Sequence, residues 1–191
     1  MQRILGAAFA ALLVAASPRP GTAQDALPDE TAGLVVVMRH ALAPGTGDPP
    51  GFRIEDCATQ RNLDEGGRRQ ARAIGARLRE AGLQGARVLS SQWCRSLETS
   101  ELLDLGPVEE APMLNSFFGR PEEERPNMEA LGSFLAGLDG QSAPVVLVTH
   151  QVTVTALTGI FPASGEAVLL RADGTRDPEP IGRMAIDAPP R

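Results

Sequence analysis

The sequence predicts an α/β fold, a three-layer sandwich in which a mainly parallel central sheet lies between helices. Two apolar runs, 34–38 (Leu-Val-Val-Val-Met) and 144–149 (Pro-Val-Val-Leu-Val-Thr), are rich in β-branched residues, as is typical of strands buried on both faces. Segments with the spacing of amphipathic helices lie between these two runs. Strands that alternate with helices favour a parallel sheet covered by helices on both faces.

The first 23 residues have the features of a secretory signal peptide. A positive start at Arg3 precedes an apolar run of 13 residues, 4–16, and small residues at 21–23 precede the predicted cleavage site. The run is too short for a retained membrane anchor, which needs about 20 apolar residues. We therefore expect export to the periplasm or secretion, and a single mature domain over residues 24–191 without a membrane span.

The elements of the first half follow in order from the sequence. Polar residues 24–32 lead into the first strand, which ends at Arg39 and His40. Residues 43–51 are predicted to be a loop, because three prolines and three glycines there rule out a helix. A helix is expected from Asn62 or Asp64 to about Ala81; its apolar stripe is Ala71, Ile74, Leu78 and Ala81, and Gly82 ends it.

The second half continues the alternation of strands and helices. A strand over 87–89 ends at serines 90 and 91, and a helix is predicted from Trp93 to about Leu103. The next helix begins at Asn127 and has an apolar stripe at Leu131, Phe134, Leu135 and Leu138. Residues 151–160 are ambiguous between strand and helix, and segments 167–171 and 181–186 are predicted to form a hairpin around Asp173-Gly174.

The charged residues exclude several kinds of chemistry. All 18 basic residues are Arg, and there is no Lys and no Tyr, so Schiff-base catalysis, Walker-type phosphate binding and Tyr general acids are excluded. The net charge of −6 becomes −8 when the signal peptide, with two Arg and no acidic residue, is removed. An acidic chain without a basic stripe is not expected to bind nucleic acid.

The two cysteines, Cys57 and Cys94, are expected to meet an oxidising compartment after export. A disulfide between them is the favoured interpretation, and two separate buried thiols are the alternative. They have no C-x-x-C or Cys/His spacing, so we expect no zinc site.

The two histidines, His40 and His150, each follow an apolar strand directly. Ligands of parallel α/β sheets bind outside the carboxyl ends of the strands, which is where both imidazoles are expected. Arg39 beside His40, with Arg95 after the second strand, favours an anion such as phosphate over a metal ion. Such a set fits phosphoryl transfer without metal, in which a neutral imidazole attacks phosphorus and water then attacks the phosphohistidine.

Four segments, in this order, resemble the motifs of the histidine phosphatase superfamily, which has the phosphoglycerate-mutase-like fold. Residues 37–41 (Val-Met-Arg-His-Ala) resemble its Arg-His-Gly signature, and residues 62–71 resemble its Leu-Thr-x-x-Gly-x-x-Gln-Ala helix entry. Residues 90–99 are similar to its Ser-x-x-x-Arg-x-x-x-Thr block, and residues 146–150 match the strand that delivers its second histidine. The resemblance covers residues 34 to about 158.

This resemblance implies a role for each candidate residue. His40 would be the phosphorylated nucleophile, and Arg39, Arg95 and His150 would complete the phosphate pocket. Arg61 is a candidate for an additional phosphate or substrate contact; a surface arginine near Asp56 or Asp64 is the alternative. No cofactor is implied.

Two residues depart from the family pattern. Ala41 replaces the Gly that usually follows the nucleophile. Asn115 stands where many members have a Glu that acts as general acid, and an amide cannot give a proton to a leaving alkoxide. The general acid is therefore unassigned, with Asp48, Glu55, Asp56 and Glu122–Glu124 as candidates whose ordinary role is a charged loop surface. A substrate with a good leaving group, such as a phosphoanhydride or phosphohistidine, is the alternative.

The sequence therefore predicts an exported phosphoric monoester hydrolase of the histidine acid phosphatase type. Its expected partner is a phosphorylated small molecule such as a sugar phosphate, hydrolysed through phospho-His40. A phospholigand-binding module without catalysis is one alternative, which Asn115 favours. A phosphomutase is another, although export would separate it from cytosolic metabolites.

Overall fold

The structure is a computed structural model that describes residues 27–28 and 30–185. The predicted signal peptide and Ile186, the expected last residue of the hairpin, lie outside these residues. The strands are β1 (Leu34–Arg39), β2 (Arg87–Ser90), β3 (Val108–Glu110), β4 (Val145–Thr149), β5 (Ala167–Arg171) and β6 (Pro180–Met184). The α-helices are α1 (Glu65–Glu80), α2 (Cys94–Leu103), α3 (Glu124–Ala136) and α4 (Gln151–Thr158), and short 3-10 turns cover Cys57–Thr59, Pro112–Leu114 and Pro121–Glu123.

The six strands form one sheet in the order β3-β2-β4-β1-β5-β6. The four strands from β3 to β1 run parallel, whereas β5 and β6 are antiparallel to their neighbours. In the central pair, Val37 lies opposite Leu147 and Arg39 lies opposite Thr149. The parallel β1 and β4 therefore end side by side, and the histidines that follow them are neighbours.

Each face of the sheet is covered by a separate apolar core. Alternate residues of β1, such as Val36 and Met38, pack on one face against Ile74 and Leu78 of α1 and against α2. Val37 and the other inward residues of the opposite face pack against α3 and α4. This arrangement confirms the predicted α/β sandwich, with a mixed sheet whose parallel part carries the site.

The helix boundaries follow from local chemistry. The side chain of Asp64 accepts the Gly67 N–H at 2.8 Å and caps α1, as one of the two predicted start residues. Helix α3 begins at Glu124, three residues before the predicted Asn127. Pro126 explains the difference, because a proline in the first turn of a helix has no intrahelical N–H partner to lose.

Two segments show what the sequence pattern left open or missed. The ambiguous segment is a helix, α4, and its last turn is ended by Gly159 with φ +71°. The edge strand β3 was not predicted, because only Val108 of its three residues is partly buried and no alternation is visible. No helix in the part of the chain that the structure describes is long and apolar enough to cross a membrane.

Candidate active site

The candidate site lies at the carboxyl ends of β1 and β4, where the two histidine rings meet. His40 follows β1 and His150 follows β4, and their ring centroids are 5.4 Å apart in an edge-to-face arrangement. The backbone N–H of His40 donates to Thr149 O at 2.9 Å, which continues the parallel ladder beyond the strands. The sheet itself therefore brings both imidazoles to one place.

His40 is buried, 2% exposed, and its hydrogen bonds define one tautomer. Nδ1 lies 2.8 Å from Ala41 O, a partner that only accepts, so Nδ1 carries the hydrogen. Nε2 then has a free lone pair and accepts from Arg95 Nε at 3.2 Å. Burial, with the charge of Arg95, holds the pKa of His40 well below the ordinary imidazole value, so the ring stays neutral. A neutral imidazole with an accessible Nε2 is suited to nucleophilic attack.

His150 is equally buried and is held by the loop after β2. Ser91 Oγ lies 2.7 Å from His150 Nε2, and the Trp93 ring packs against the imidazole at 5.3 Å between centroids. Burial first, and then the charge of Arg95, holds the pKa of His150 well below its ordinary value. The second histidine is thus a fixed neutral ring beside the first.

Arg95, in the first turn of α2, links the nucleophile candidate to a carboxylate. Its guanidinium is buried, and Nη1 and Nη2 donate to the two Asp48 oxygens at 2.7 Å and 3.2 Å. Trp93 Nε1 donates to the same carboxylate at 3.0 Å. Burial raises the pKa of Asp48, but the hydrogen bonds and charge of Arg95 outweigh it, so the pKa lies below its usual value and the group is ionised.

Arg39 and Arg61 complete a cationic lining. Arg39 Nη1 donates to Pro162 O at 3.2 Å, while its buried Nε has no partner among the described residues. Arg61 Nε donates to Gly47 O at 2.7 Å, so this side chain braces the loop rather than lying on the surface beside Asp56 or Asp64. Burial and the charge of Arg95 lower the pKa of Arg61 to about 10.

These residues line one pocket of about 390 Å³. Its charged members are four arginines and one carboxylate, and Phe52, Trp93 and Phe118 add aromatic side chains to the lining. The Phe52 and Trp93 rings are 5.6 Å apart, and the Arg120 guanidinium lies 5.1 Å from the Trp93 ring centre. The full lining is Arg39, His40, Gly45, Thr46, Gly47, Asp48, Phe52, Arg61, Trp93, Arg95, Ser116, Phe118, Gly119, Arg120, His150, Gln151 and Val152. Such a pocket attracts an anion and places its nonpolar remainder against aromatic faces.

Asn115 lies outside this lining and has a structural role. Its Oδ1 accepts the Gln92 N–H at 2.9 Å, and its Nδ2 donates to Gln92 Oε1 at 2.9 Å. Ser91 Oγ also donates to Asn115 Oδ1, at 3.3 Å, so the amide fixes the serine that contacts His150. Of the acidic candidates, only Asp48 lines the pocket; Glu55, Asp56 and Glu122–Glu124 do not.

The loop that carries Asp48 and Arg61 is tied to α2 by a disulfide. Cys57 and Cys94 are bonded, with their Cα atoms 5.6 Å apart. The buried Gln60 adds a second tie, since its Oε1 accepts the Cys94 N–H at 3.0 Å. Within the described residues no group of three His, Cys, Asp or Glu side chains is placed to hold a metal ion.

The structure brings Arg39, His40, Arg95 and His150 together at one site, as the sequence predicts, whereas two of their partners, Ser91 and Trp93, are not predicted. In the sequence Ser91 is predicted only as the end of a strand, and its position beside the other strand ends is the signal that points to the site. Trp93 is predicted only as a helix start, and no pattern in the sequence indicates that its Nε1 reaches Asp48.

Comparison with known proteins identifies the fold. No protein-family model matches the sequence, and no curated protein matches it significantly. The solved structure of the protein histidine phosphatase SixA complexed with tungstate has a TM-score of 0.58 and 20% identity, covering 80% of this chain and 96% of that chain. A structure from Agrobacterium tumefaciens assigned to phosphohistidine phosphatase SixA has a TM-score of 0.51 and 22% identity, with 81% and 99% covered.

A mycobacterial glucosyl-3-phosphoglycerate phosphatase complexed with VO3 is also similar. Its TM-score is 0.50 at 18% identity, covering 73% of this chain and 91% of that chain. The chain therefore has the same α/β fold as these phosphatases.

Proposed function

We propose that this protein is an exported, metal-independent phosphatase that hydrolyses a phosphomonoester through a phosphohistidine on His40. The observation that carries the proposal is the unprotonated Nε2 of a buried, neutral His40 inside a pocket lined by four arginines. The fold shared with histidine phosphatases supports the same chemistry.

The side chains around His40 have distinct tasks in this mechanism. The Nε of Arg39, which has no partner among the described residues, and the guanidinium of Arg95 donate to phosphoryl oxygens and neutralise their charge. His150, held by Ser91, contributes a neutral ring beside His40 to the wall of the phosphate pocket. His40 Nε2 attacks phosphorus, the leaving group departs with the electron pair of the broken P–O bond, and water then attacks the phosphohistidine.

The substrate that we propose is a phosphorylated small molecule, such as a sugar phosphate. Phe52 and Phe118, which line the pocket and are not buried, offer apolar faces against which a sugar ring packs. Arg120, beside Trp93, favours a substrate with further electronegative groups. Phosphohistidine is a second candidate substrate, which the structural similarity to SixA favours.

Export is the proposed location of this activity. The disulfide between Cys57 and Cys94 supports it, because disulfides persist in oxidising compartments. The N-terminal signal pattern supports it independently. Expression of the full chain in a Gram-negative bacterium, followed by osmotic-shock fractionation and N-terminal sequencing, tests cleavage after residue 23; an uncleaved chain in the cytoplasmic fraction contradicts it.

The activity is tested on His40 directly. His40→Ala is expected to abolish hydrolysis of p-nitrophenyl phosphate in a folded protein, whereas Glu55→Gln, outside the pocket, keeps it. Rapid quench of the unaltered enzyme with radiolabelled substrate is expected to trap an acid-labile phosphate on His40. Phosphate binding without turnover would instead support the non-catalytic phospholigand module, and phosphate transfer between hydroxyls of a sugar bisphosphate would support a mutase.

A further inference from the structure

The proposed reaction needs a proton for its leaving oxygen, and one residue of the pocket is placed to supply it. Asn115 is outside the pocket and has no acidic proton. Gln151, which directly follows His150, is an amide as well. Asp48 is the only carboxylic acid among the residues that line the pocket in the described part of the chain.

The Asp48 carboxylate accepts hydrogen bonds from four donors that belong to three residues. Arg95 donates to both carboxylate oxygens, Trp93 Nε1 donates to Oδ2, and the Arg61 backbone N–H donates to Oδ1 at 3.1 Å. The side chain is only 10% exposed. This buried, multiply bonded carboxylate is a built part of the pocket and not a charged loop surface.

The carboxylate and the nucleophile share one guanidinium. Arg95 gives Nε to His40 Nε2 and its Nη atoms to Asp48. A phosphoryl group that approaches His40 Nε2 therefore approaches the donors that Asp48 now occupies. The substrate phosphate and the Asp48 carboxylate therefore compete for Nη1 and Nη2 of Arg95. A phosphate dianion beside an ionised Asp48 would be repelled.

We propose that substrate phosphate displaces Asp48 from the Arg95 fork and that the released carboxyl group, now protonated, is the general acid for the leaving oxygen. The proposal rests on the phosphatase function argued above. Loss of Arg95 removes the strongest of the groups that keep Asp48 ionised; the Arg61 N–H and Trp93 Nε1 contacts still favour the carboxylate, whereas burial and the negative charge of the bound phosphate favour the neutral carboxylic acid. The released Asp48 carboxylate takes up one proton from solvent when the substrate binds.

Two contacts keep the released carboxyl group in the pocket. Trp93 Nε1 and the Arg61 N–H still donate to this carboxyl group when the Arg95 guanidinium binds the phosphate instead. Arg61 Nε also holds Gly47 O, the carbonyl next to Asp48. The side chain therefore exchanges partners locally and is not carried away by movement of the loop.

The proton and electron balance closes over both steps. His40 Nε2 forms a bond to phosphorus, the P–O bond breaks, and the leaving oxygen takes its electron pair and the Asp48 proton. Asp48, now a carboxylate, then accepts a proton from the attacking water as the P–N bond breaks toward Nε2. After phosphate departs, Asp48 returns its proton to solvent and rebinds Arg95.

The decisive experiment compares Asp48→Asn with the unaltered enzyme on phosphate esters of graded leaving groups. The quantity is kcat/KM, which reports the steps up to P–O cleavage, and the two extremes are an alkyl phosphate and 2,4-dinitrophenyl phosphate. Dinitrophenolate leaves without a proton, whereas an alkoxide does not. Asp48→Asn is expected to lose about 100-fold or more on the alkyl ester and less than about 10-fold on the dinitrophenyl ester.

Other outcomes overturn the proposal in distinguishable ways. An equal loss on both esters makes Asp48 a positioning residue for Arg95 only, and no loss on the alkyl ester removes it from the mechanism. Glu55→Gln, an exposed carboxylate of the same loop, is the matched control and is expected to behave as the unaltered enzyme. Retention of the Asp48→Asn fold is checked by circular dichroism.

A second measurement does not depend on that variant. In the unaltered enzyme, kcat/KM is expected to depend only weakly on leaving-group basicity, since the departing oxygen is protonated; a steep dependence overturns the proposal. Trapping of phospho-His40 from dinitrophenyl phosphate tests the phosphatase function separately. A trapped intermediate with a steep dependence leaves the phosphatase standing without its acid, and no trapped intermediate removes both.

Discussion

Arg95 Nε donates to Nε2 of His40 at 3.2 Å, and the same guanidinium holds the Asp48 carboxylate with its other two nitrogens. One planar group therefore sets the direction of the His40 ring and the charge of the pocket together. The position of Arg95 is in turn set by α2, whose Thr99 Oγ1 accepts the Ala41 N–H at 3.1 Å and ties the helix to the loop after His40.

Arg95→Lys tests this dependence on planar geometry. A lysine ammonium has a single nitrogen. It cannot contact His40 Nε2 and at the same time donate two parallel hydrogen bonds to an oxyanion, as the planar guanidinium can. We expect kcat/KM for p-nitrophenyl phosphate to fall about 100- to 1000-fold. Arg125→Lys is the control, because that side chain is 83% exposed and does not line the pocket. Near-normal activity in Arg95→Lys would show that only positive charge matters.

Ser91→Ala tests whether the serine positions His150. The variant removes the hydroxyl 2.7 Å from His150 Nε2 and leaves a buried ring nitrogen without that partner. A loss of about 1–2 kcal/mol of positioning energy corresponds to roughly a 10-fold lower kcat/KM. Ser100→Ala is matched to it: Ser100 is equally buried, but its hydroxyl donates to Ser96 O within α2. Equal effects of the two variants would mean a general loss of packing.

The sequence is sufficient to predict those site residues that directly follow strands. Continuous apolar runs identify β1 and β4, and the residue after a parallel strand lies at the ligand-binding edge, so His40 and His150 could be placed from the pattern alone. Arg95 could be placed through its motif block. The positions of these three residues depend on the regular backbone geometry of strands and helices, which the spacing of apolar residues in the sequence predicts.

The partners in the loops could not be predicted in the same way. Asp48 lies in a Gly/Pro loop whose path depends on Gly45 and Gly47, both with positive φ, and on the carbonyls that Arg61 holds. Asn115 was interpreted from its motif position, yet its side chain bonds the backbone of the neighbouring loop. Side-chain contacts between irregular segments leave no periodic signal in the sequence.

Removal of the disulfide is expected to destabilise the fold and spare the chemistry. The bridge between Cys57 and Cys94 closes a loop with a sequence separation of 37, which in a chain-entropy estimate contributes about 4 kcal/mol. The contact from Gln60 to the Cys94 N–H persists in Cys57→Ser/Cys94→Ser, so the loop stays docked below the unfolding transition. Urea denaturation checks the midpoint, and dithiothreitol should shift the midpoint of the unaltered protein only. An unchanged midpoint in the double variant contradicts the prediction.

Stability is expected to fall on acidification because of the two buried histidines. Their folded pKa values lie well below the ordinary value of about 6.5, which applies to the unfolded chain. Below pH ~6.5 the unfolded chain therefore binds more protons than the folded one, and the free energy of unfolding falls by about 2.7 kcal/mol per pH unit for two sites. Above pH ~6.5 both states are neutral and this dependence vanishes.

Urea unfolding between pH 7.5 and 5 measures this slope. His150→Gln removes one of the two groups, so its slope is expected to be about 1.4 kcal/mol per pH unit. An unchanged slope in the variant would mean that His150 takes up its proton in the folded state.

Gly67 permits the close approach between α1 and the loop after His40. A Cβ at this position would lie 2.0 Å from Leu42 O, a backbone atom that cannot rotate away. The Leu42 N–H also donates to Gln70 Oε1 at 2.9 Å. Leu42 therefore contacts α1 through both its backbone carbonyl and its backbone N–H, which holds the loop against the helix. Gly67→Ala must push this loop, and with it the proposed nucleophile His40 two residues earlier, out of place. We expect a loss of about 2 kcal/mol or more in the free energy of unfolding, together with reduced kcat/KM.

Gly66→Ala provides the contrast within the same helical turn. Its added Cβ would meet only side-chain atoms, the nearest being Asp64 Oδ1 at 3.1 Å, and alanine favours the helix by about 1 kcal/mol over glycine. This variant is therefore expected to remain within about 1 kcal/mol of the unaltered protein, with unchanged kcat/KM. If both variants lose stability and activity equally, helix entry as a whole is sensitive, and the contact with Leu42 is not what positions His40.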